Sequence, residues 1–350
     1  MIEGKKEGDV RDKRRGRVKG LMLVMVVMGC NSGGVKDAEK VFLSEMVNLG
    51  KGFLDVFVSF GDMITGTLGI KAETKKSEIG AYFSKIAETM KEVKEKLGKI
   101  LEENGNYEKV RGKVEEFIGE IGKIEAGAKT VASGASGDEA IGNATAAGHG
   151  ATPASKDAVV SLVKGIKAIV GVVLKDNEGS ADANKTGDDK KDVGKLFASD
   201  NDKADSKEEN IAKAAASIGA VSGADILRAI AKSKEDPQAD SANGIEKAGD
   251  AAEIAIAVNA KKEIKEEAAK KDAVIAGGIA LRGMGKGGKF AVNNDAKDAN
   301  AVNGAVASAV NKVLSTLVIA IRNRVDEGLK EINKVLGEIK QGEGVGAKVN

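Results

Sequence analysis

The sequence predicts an all-α protein, an elongated bundle of long antiparallel helices joined by Gly/Ala-rich loops, and three observations support that fold class. Apolar residues recur at helical spacing along much of the chain. Only 3% of the residues are aromatic, whereas the strands of β-sandwiches and barrels favour aromatic side chains. The 350 residues include only two Pro, so long helices can run without interruption.

The composition also bears on the class of function. The 55 Lys and Arg against 53 Asp and Glu give a formal net charge of +2, without the basic surplus that a general nucleic-acid binder needs. His149 is the only His and Cys30 the only Cys, which argues against Cys/His metal clusters, disulfides and His-based catalytic triads. No pair of acidic residues stands out in an apolar setting that would raise a carboxyl pKa. We therefore predict no enzyme, no catalytic or metal-binding residues, no cofactor and no nucleic-acid partner.

The N-terminal segment has the pattern of an export signal. A basic stretch that begins at Lys13 precedes eight apolar residues, Leu21–Met28. Eight helical residues span about 12 Å, far less than the roughly 30 Å of a bilayer core. We interpret residues 1–29 as a signal peptide and not as a transmembrane helix.

The leader ends in four residues that resemble the lipobox of bacterial lipoproteins: Val27, Met28, Gly29 and Cys30. This resemblance implies that the leader is cleaved before Cys30, whose thiol takes a diacylglyceryl group and whose new amino terminus is acylated. Two acyl chains, at about 0.8 kcal/mol per buried CH₂, make anchoring stable. Residues 30–34 would then be the lipidated cysteine and its tether. A buried Cys in an ordinary hydrophobic helix is the alternative, and nothing amphipathic surrounds Cys30 to favour it.

Four acidic residues precede the basic stretch, although leaders of this kind are usually poor in acids: Glu3, Glu7, Asp9 and Asp12. The functional leader either starts near Lys13 or is imperfect.

We treat residues 35–350 as one all-α domain. A first apolar stripe repeats at helical spacing: Phe42, Met46, Leu49, Phe53, Phe57 and Phe60. Two further stripes flank a turn at 103–106 and predict an antiparallel helical hairpin. They consist of Ile79, Phe83, Ile86, Met90, Val93, Leu97 and Ile100, and of Val110, Val114, Phe117, Ile121 and Ile124.

Two segments lack an apolar period and predict loops without a packing role, at about 132–157 and 176–208. His149 falls in the first of them and is expected to be a solvent-exposed loop residue. Because such loops change sequence at little cost in stability, both are predicted to vary and to project outward. Between them, residues 158–174 predict a short helix of the protein core.

The C-terminal half predicts more helices: 209–218, 224–232, 242–259 and 261–271. In the last, Glu266–Lys270 and Glu267–Lys271 have the i,i+4 order that supports an exposed helix. A final stripe has a period of about 3.6 residues and predicts one helix of some 40 residues. It runs through Val310, Val313, Leu317, Ile321, Val325, Leu329, Ile332, Leu336 and Ile339.

Residues 283–288 match the G-x-G-x-x-G pattern of dinucleotide sites, after a stretch, 274–281, that could pass for a strand. Such a site needs a helix that opens at the glycines, with its N–H groups aimed at the pyrophosphate. Here a loop follows them. A P-loop also fails, because Lys286 is followed by Gly287. We predict a glycine-rich turn between helices.

Long runs of the chain resemble the variable large proteins of relapsing-fever Borrelia, which are similar to the Vls antigen of Lyme spirochaetes. The runs lie at 41–69, 229–240, 257–291 and 310–333. The resemblance covers nearly all of the mature chain. It implies a lipid-anchored outer-membrane antigen that faces the cell exterior, varies to escape host antibodies, and has no catalytic residues. Cys30 matches the family's lipidated cysteine. The acidic leader departs from the family's usual short basic one, which leaves open whether this copy is an expressed gene or an archived donor cassette.

The sequence is also compatible with other functions. One alternative is an adhesin that binds host glycosaminoglycan or protein, although the densest basic runs are interleaved with acids, as at 261–271. Another is a structural lipoprotein that faces the periplasm. The Gly-rich turns and Ala-rich helix faces permit close packing, so a homodimer is also possible. We expect both ends of the mature chain to lie near the membrane.

Overall fold

The computed structural model describes residues 70–104, 108–187, 190–258 and 260–343. All of them belong to one unit, Glu45–Asn350. The leader, Cys30 and the Phe42–Phe60 stripe lie outside the described residues. Within the described ranges the chain has no β-strand, and its extended contacts are isolated β-bridges, among them Lys75 to Ala140, His149 to Val292 and Thr152 to Lys289. The all-α prediction is confirmed.

The described residues include eight α-helices and three short 3₁₀ helices. The α-helices are α1 (Lys76–Asn104), α2 (Glu108–Gly134), α3 (Lys156–Val173), α4 (Glu208–Ala220), α5 (Gly223–Lys232), α6 (Ala251–Ile256), α7 (Asp272–Met284) and α8 (Ala296–Glu343). The 3₁₀ helices are Lys191–Phe197, Asp200–Asp205 and Gly244–Lys247.

The hairpin predicted from the second and third stripes is present as α1 and α2. Gly80 lies against Ala135, and the Lys94 ammonium lies 2.6 Å from the Glu125 carboxylate, which fixes the antiparallel register. The predicted core positions whose side chains are described are buried: Ile79, Phe83, Ile86, Met90, Val93, Leu97, Val114, Phe117, Ile121 and Ile124.

Helix α3 packs antiparallel on α2 at very short range. A Cβ atom at Gly165 would lie 2.6 Å from the Gly127 carbonyl oxygen and 2.7 Å from the Val131 amide nitrogen. Nearer the start of α3, Gly134 lies against Ala158. Because glycine has no side chain, the backbones of α2 and α3 come into direct contact at these positions.

Helix α8 is the longest element, with 48 residues and a length of about 72 Å. It runs antiparallel to α2, because Gly328 packs on Phe117 and Arg324 pairs with Glu120 at 2.6 Å. Its apolar stripe faces the core, with Val310, Val313, Leu317, Ile321, Val325 and Ile332 buried. An 18-residue window within 296–332 has a mean hydropathy of 1.7 and could span a membrane by composition, but 56% of it is buried, as in a core helix.

The segment expected as a free loop at 132–157 does pack. Helix α2 continues to Gly134, and the chain after it buries Ile141 completely. Two β-bridges, His149 to Val292 and Thr152 to Lys289, fasten it to the residues before α8. The expectation of no packing role was wrong here, because apolar periodicity does not report backbone pairing.

The second predicted loop, 176–208, divides into two different parts. Two 3₁₀ helices occupy Lys191–Phe197 and Asp200–Asp205, and Phe197 is fully buried. Residues 176–187 form an irregular segment without a buried side chain. Only this first part has the predicted character of a loop without a packing role.

The predicted helices at 209–218 and 224–232 are confirmed as α4 and α5, whereas the one at 242–259 is broken. The 3₁₀ helix Gly244–Lys247 ends before Asp250, whose side chain accepts from the Glu253 amide and starts α6.

The predicted helix at 261–271 is absent. The buried residue Ile264 donates its amide to the Lys191 carbonyl, so its backbone pairs with a distant segment. The predicted i,i+4 pairs are replaced as well. Glu266 pairs with Lys247 at 3.2 Å, and Glu267 with Lys270 at 2.7 Å.

Candidate functional site

The predicted lipidation site lies outside the described residues. Cys30 and the lipobox residues Val27, Met28 and Gly29 therefore stay a prediction from sequence. Among the residues that the structure describes, no group of three or more His, Cys, Asp or Glu side chains is placed to hold a metal ion.

The glycine-rich segment 283–288 is a turn, as predicted, and its polar atoms face a cation. Helix α7 ends at Met284, and the Lys76 ammonium donates to the carbonyl oxygens of Gly285 and Gly288 at 2.7 and 2.9 Å. The Gly287 N–H donates to the Glu139 carboxylate at 2.5 Å. A phosphate site presents N–H groups to an anion. Here two carbonyls converge on an ammonium, so this geometry does not suit a phosphate.

Lys76 is fully buried at the start of α1. Burial lowers the pKa of its ammonium to about 8, and the Glu139 carboxylate, 3.7 Å away, opposes that shift. The side chain joins the first turn of α1 to a turn more than 200 residues later in the chain.

Arg282, on the last turn of α7, is also fully buried. Its guanidinium donates to the carbonyl oxygens of Ala255, Ala257 and Lys289. It also lies 4.6 Å from the ring centroid of Phe197 and 5.7 Å from that of Phe290. Burial lowers the pKa of Arg282 to about 9. Carbonyl dipoles and ring faces thus stabilise this charge.

Asp272, the first residue of α7, forms a third buried ionic group. Its carboxylate accepts from the amides of Lys185 and Thr186 and lies 2.9 Å from the Lys190 ammonium. Burial acts to raise the pKa of Asp272, but hydrogen bonds from Thr186, Lys190 and the two amides outweigh it and lower the pKa to about 2.

These buried charges were not predicted from sequence. The burial of Arg282 could have been predicted, because it is a lone charge at the end of the otherwise apolar run Ala273–Leu281. The burial of Lys76 could not, because it lies in a polar run, K-A-E-T-K-K-S-E. All three hold other parts of the chain in place, and none of the contacts described above resembles a catalytic arrangement.

His149 is half-buried, so the prediction of a solvent-exposed histidine was wrong. Its backbone pairs with Val292 in both directions, at 3.0 and 2.9 Å. Its Nδ1 lies 3.1 Å from the Gly150 carbonyl oxygen. The ring is held by backbone pairing of the segment that carries it.

A shallow groove of about 440 Å³ lies between the end of α3 and the middle of α8. Ile319, on its α8 wall, is 58% exposed. Lys175 pairs with Glu327 at 3.6 Å, and Arg324 pairs with Glu120. These pairs neutralise the rim, so its charge favours neither an anionic nor a cationic ligand.

Residues 53–336 match the Borrelia lipoprotein family over most of the chain, including nearly all of the elements described above. The chain belongs to this family. Its match begins after the predicted leader and Cys30, so the family assignment does not depend on the lipobox.

Curated relatives of this chain include variable large proteins of Borrelia hermsii. Variable large protein 4 is 60% identical over 92% of each chain. Variable large protein 17 is 57% identical over 92% of this chain and 91% of that one. Variable large protein 19 is 42% identical over 90% and 91%. The resemblance drawn from the sequence runs is confirmed.

A solved structure gives the same result for the fold. The crystal structure of the Lyme disease variable surface antigen VlsE of Borrelia burgdorferi superposes with a TM-score of 0.63 and 32% identity. The match covers 84% of this chain and 98% of VlsE. VlsE, like this chain, is a helical bundle.

Proposed function

We propose that the chain is an antigenically variable coat lipoprotein, anchored by lipid at Cys30 in the outer membrane, that faces the cell exterior and protects the cell from host antibodies. The 60% identity to variable large protein 4 over 92% of both chains is the main support. The name of the VlsE relative, a variable surface antigen, supports the same role. No enzymatic activity is part of this proposal.

Cys30 supports the membrane half of the proposal. It is the only thiol in the chain and directly follows an eight-residue apolar segment after a basic stretch. A thiol is the group that a diacylglyceryl transfer requires, and two or more acyl chains hold a protein on a bilayer without a spanning helix.

The described surface agrees better with an antigen than with a binder of polyanions. Many Lys side chains of the basic runs pair with acids. Lys262 contacts Asp202 and Asp205, at 3.1 and 2.5 Å, and Lys265 contacts Glu246 at 3.1 Å. Paired cations leave little net positive field for a glycosaminoglycan.

The helix directions define two ends of the described bundle. Because α2 and α8 are antiparallel, the start of α2 lies at the same end as the C-terminal part of α8. Segment 135–155 and the turn after α7 lie at the other end, where Ala144 binds Asn303 of α8. We place the C-terminal end of α8 near the membrane and the opposite end outward.

Protease shaving of intact cells that express the chain tests surface display. Peptides released by trypsin are identified by mass spectrometry, with a periplasmic protein as the leakage control. We expect peptides from 132–157 and 176–208 before the outer membrane is broken. A Cys30→Ser variant should fail to incorporate labelled palmitate and should leave the membrane fraction.

Two outcomes would contradict the proposal. Release of peptides only after lysis would favour a lipoprotein that faces the periplasm. Retention of Cys30→Ser in the membrane fraction, with acyl label, would exclude Cys30 as the anchor.

A further inference from the structure

Segment 174–187 connects α3 to the residues before the first 3₁₀ helix, and it has an unusual surface. None of its fourteen residues is buried. Asp176, Asn177 and Asp182 are exposed. In contrast, the other predicted loop, 132–157, buries Ile141 and Ala154. A segment without buried side chains needs another source of order.

The order comes from hydrogen bonds to its backbone. Arg228 of α5 donates to the carbonyl oxygens of Leu174, Lys175 and Glu178, with the last bond at 3.0 Å. One turn earlier on α5, the Asp225 carboxylate accepts from the Ser180 amide at 2.8 Å.

Helix α7 holds the second half of the segment in the same way. The Asp272 carboxylate accepts from the amides of Lys185 and Thr186 at 2.5 and 2.8 Å. The Ala273 amide donates to the Ala183 carbonyl at 3.1 Å. Every residue type except Pro offers these backbone atoms, so the bonds survive most changes of side chain.

The side-chain contacts of the segment are mostly weak by comparison. The pair Lys232–Asp182, at 2.9 Å, is about two-thirds exposed on both sides, and Lys175–Glu327 spans 3.6 Å. Exposed pairs of this kind contribute little to stability. Three positions are exceptions. Thr186 donates its hydroxyl to Asp272, and the Asn184 side chain accepts from the buried Lys190 ammonium. Gly179, at φ +75°, would place a Cβ 2.4 Å from the Ala224 backbone.

We propose that segment 174–187 is an antibody-facing surface whose exposed side chains can change freely because Asp225, Arg228 and Asp272 hold its backbone. This inference rests on the proposed antigen function and deepens it. The partner is an antibody paratope, whose Tyr, Ser and Asn side chains suit a polar, charged surface. Gly179, Asn184 and Thr186 are the positions that variation should spare.

The first test changes the exposed side chains together. The full-length purified protein with Asp176→Lys, Asn177→Thr and Asp182→Ser is compared with the parent. We expect a Tm within about 2 °C of the parent, since exposed substitutions perturb stability little. Monoclonal antibodies raised against the parent should include a group whose affinity falls at least about tenfold.

A matched pair of substitutions on α5 tests the backbone contacts. Arg228→Ala removes a cation that binds only backbone carbonyls of the segment, and Lys232→Ala removes one that binds the Asp182 side chain. Hydrogen–deuterium exchange, read by mass spectrometry, follows the peptides that cover 174–187. Arg228→Ala should raise their exchange at least about tenfold, whereas Lys232→Ala should leave it near the parent value.

Three results would contradict the inference. The Tm of the triple variant could fall as far as that of Arg228→Ala, or no antibody could distinguish the triple variant from the parent. The third is equal hydrogen–deuterium exchange of segment 174–187 in Arg228→Ala and Lys232→Ala. These measurements use purified protein, so they are independent of the shaving result. If the purified variants behave as expected but intact cells do not display the chain, the proposed function is refuted. The inference that the backbone contacts tolerate changes of the exposed side chains still holds in that case.

Discussion

Three buried ionic side chains, Lys76, Arg282 and Asp272, join parts of the chain that are far apart in sequence. Each binds backbone atoms, carbonyls for the two cations and amides for Asp272. A buried charge without such partners would cost several kcal/mol, so these contacts fix where the turns must lie. They also make the stability of the protein depend on pH.

The Lys76 ammonium gives a prediction for alkaline pH. Burial lowers its pKa to about 8 from an ordinary value of 10.5, so between these values the unfolded chain binds more protons than the folded one. Its contribution to the free energy of unfolding should therefore rise with pH in that window, by at most about 1.4 kcal/mol per unit. Urea unfolding from pH 7 to 10 should show this rise in the parent, relative to Lys76→Met.

Lys91→Met is the matched control, because Lys91 lies on the same helix with a 58% exposed side chain. It should keep the pH profile of the parent. Equal profiles for the parent and Lys76→Met would show that the buried ammonium keeps an ordinary pKa in the folded state.

The contact between helices α2 and α3 depends on glycine. A Cβ at Gly165 would lie 2.6 Å from the Gly127 carbonyl, so Gly165→Ala must push the helices apart, at about 1–3 kcal/mol. Gly171→Ala on the same helix meets no atom within 4 Å and should stabilise by about 0.5–1 kcal/mol. Thermal unfolding should lower the Tm of the first variant and raise that of the second. Shifts of the same sign would contradict the close packing.

The long helices could be predicted because their burial repeats every 3.6 residues. Helices α1, α2, α3 and α8 follow stripes of Ile, Leu, Val and Phe. The predicted helix at 261–271 failed although its charge pattern suited a helix, because Ile264 is buried against the backbone of Lys191. A local charge pattern contributes tenths of a kcal/mol, and tertiary pairing outweighs it.

The candidate sites were predictable to different degrees. The lipobox is a local motif, so sequence alone locates Cys30. The backbone frame ties segment 174–187 to α5 and α7 across long sequence separations, such as the 87 positions between Lys185 and Asp272. No local pattern records such a pairing. The absence of apolar periodicity indicated exposed side chains there, and the same signal was misleading at 132–157, where β-bridges supply the order.

At the scale of the molecule, the direction of α8 relative to the membrane decides which surface antibodies meet. Thr145 is exposed next to Ala144, which binds Asn303, whereas Lys330 is exposed 27 residues farther along α8. Those 27 residues separate the two levels by about 40 Å. Because the single native thiol is predicted to be acylated, an introduced cysteine could be labelled without competition.

Thr145→Cys and Lys330→Cys therefore test the orientation directly. Each lipidated variant, labelled with a donor fluorophore, is reconstituted in vesicles that contain lipids with an energy-transfer acceptor on the headgroup. With the C-terminal end of α8 toward the membrane, we expect more energy transfer at 330 than at 145, because transfer efficiency falls steeply with distance and the two levels differ by about 40 Å. The reverse pattern would place segment 135–155 toward the bilayer and the C-terminal end of α8 outward.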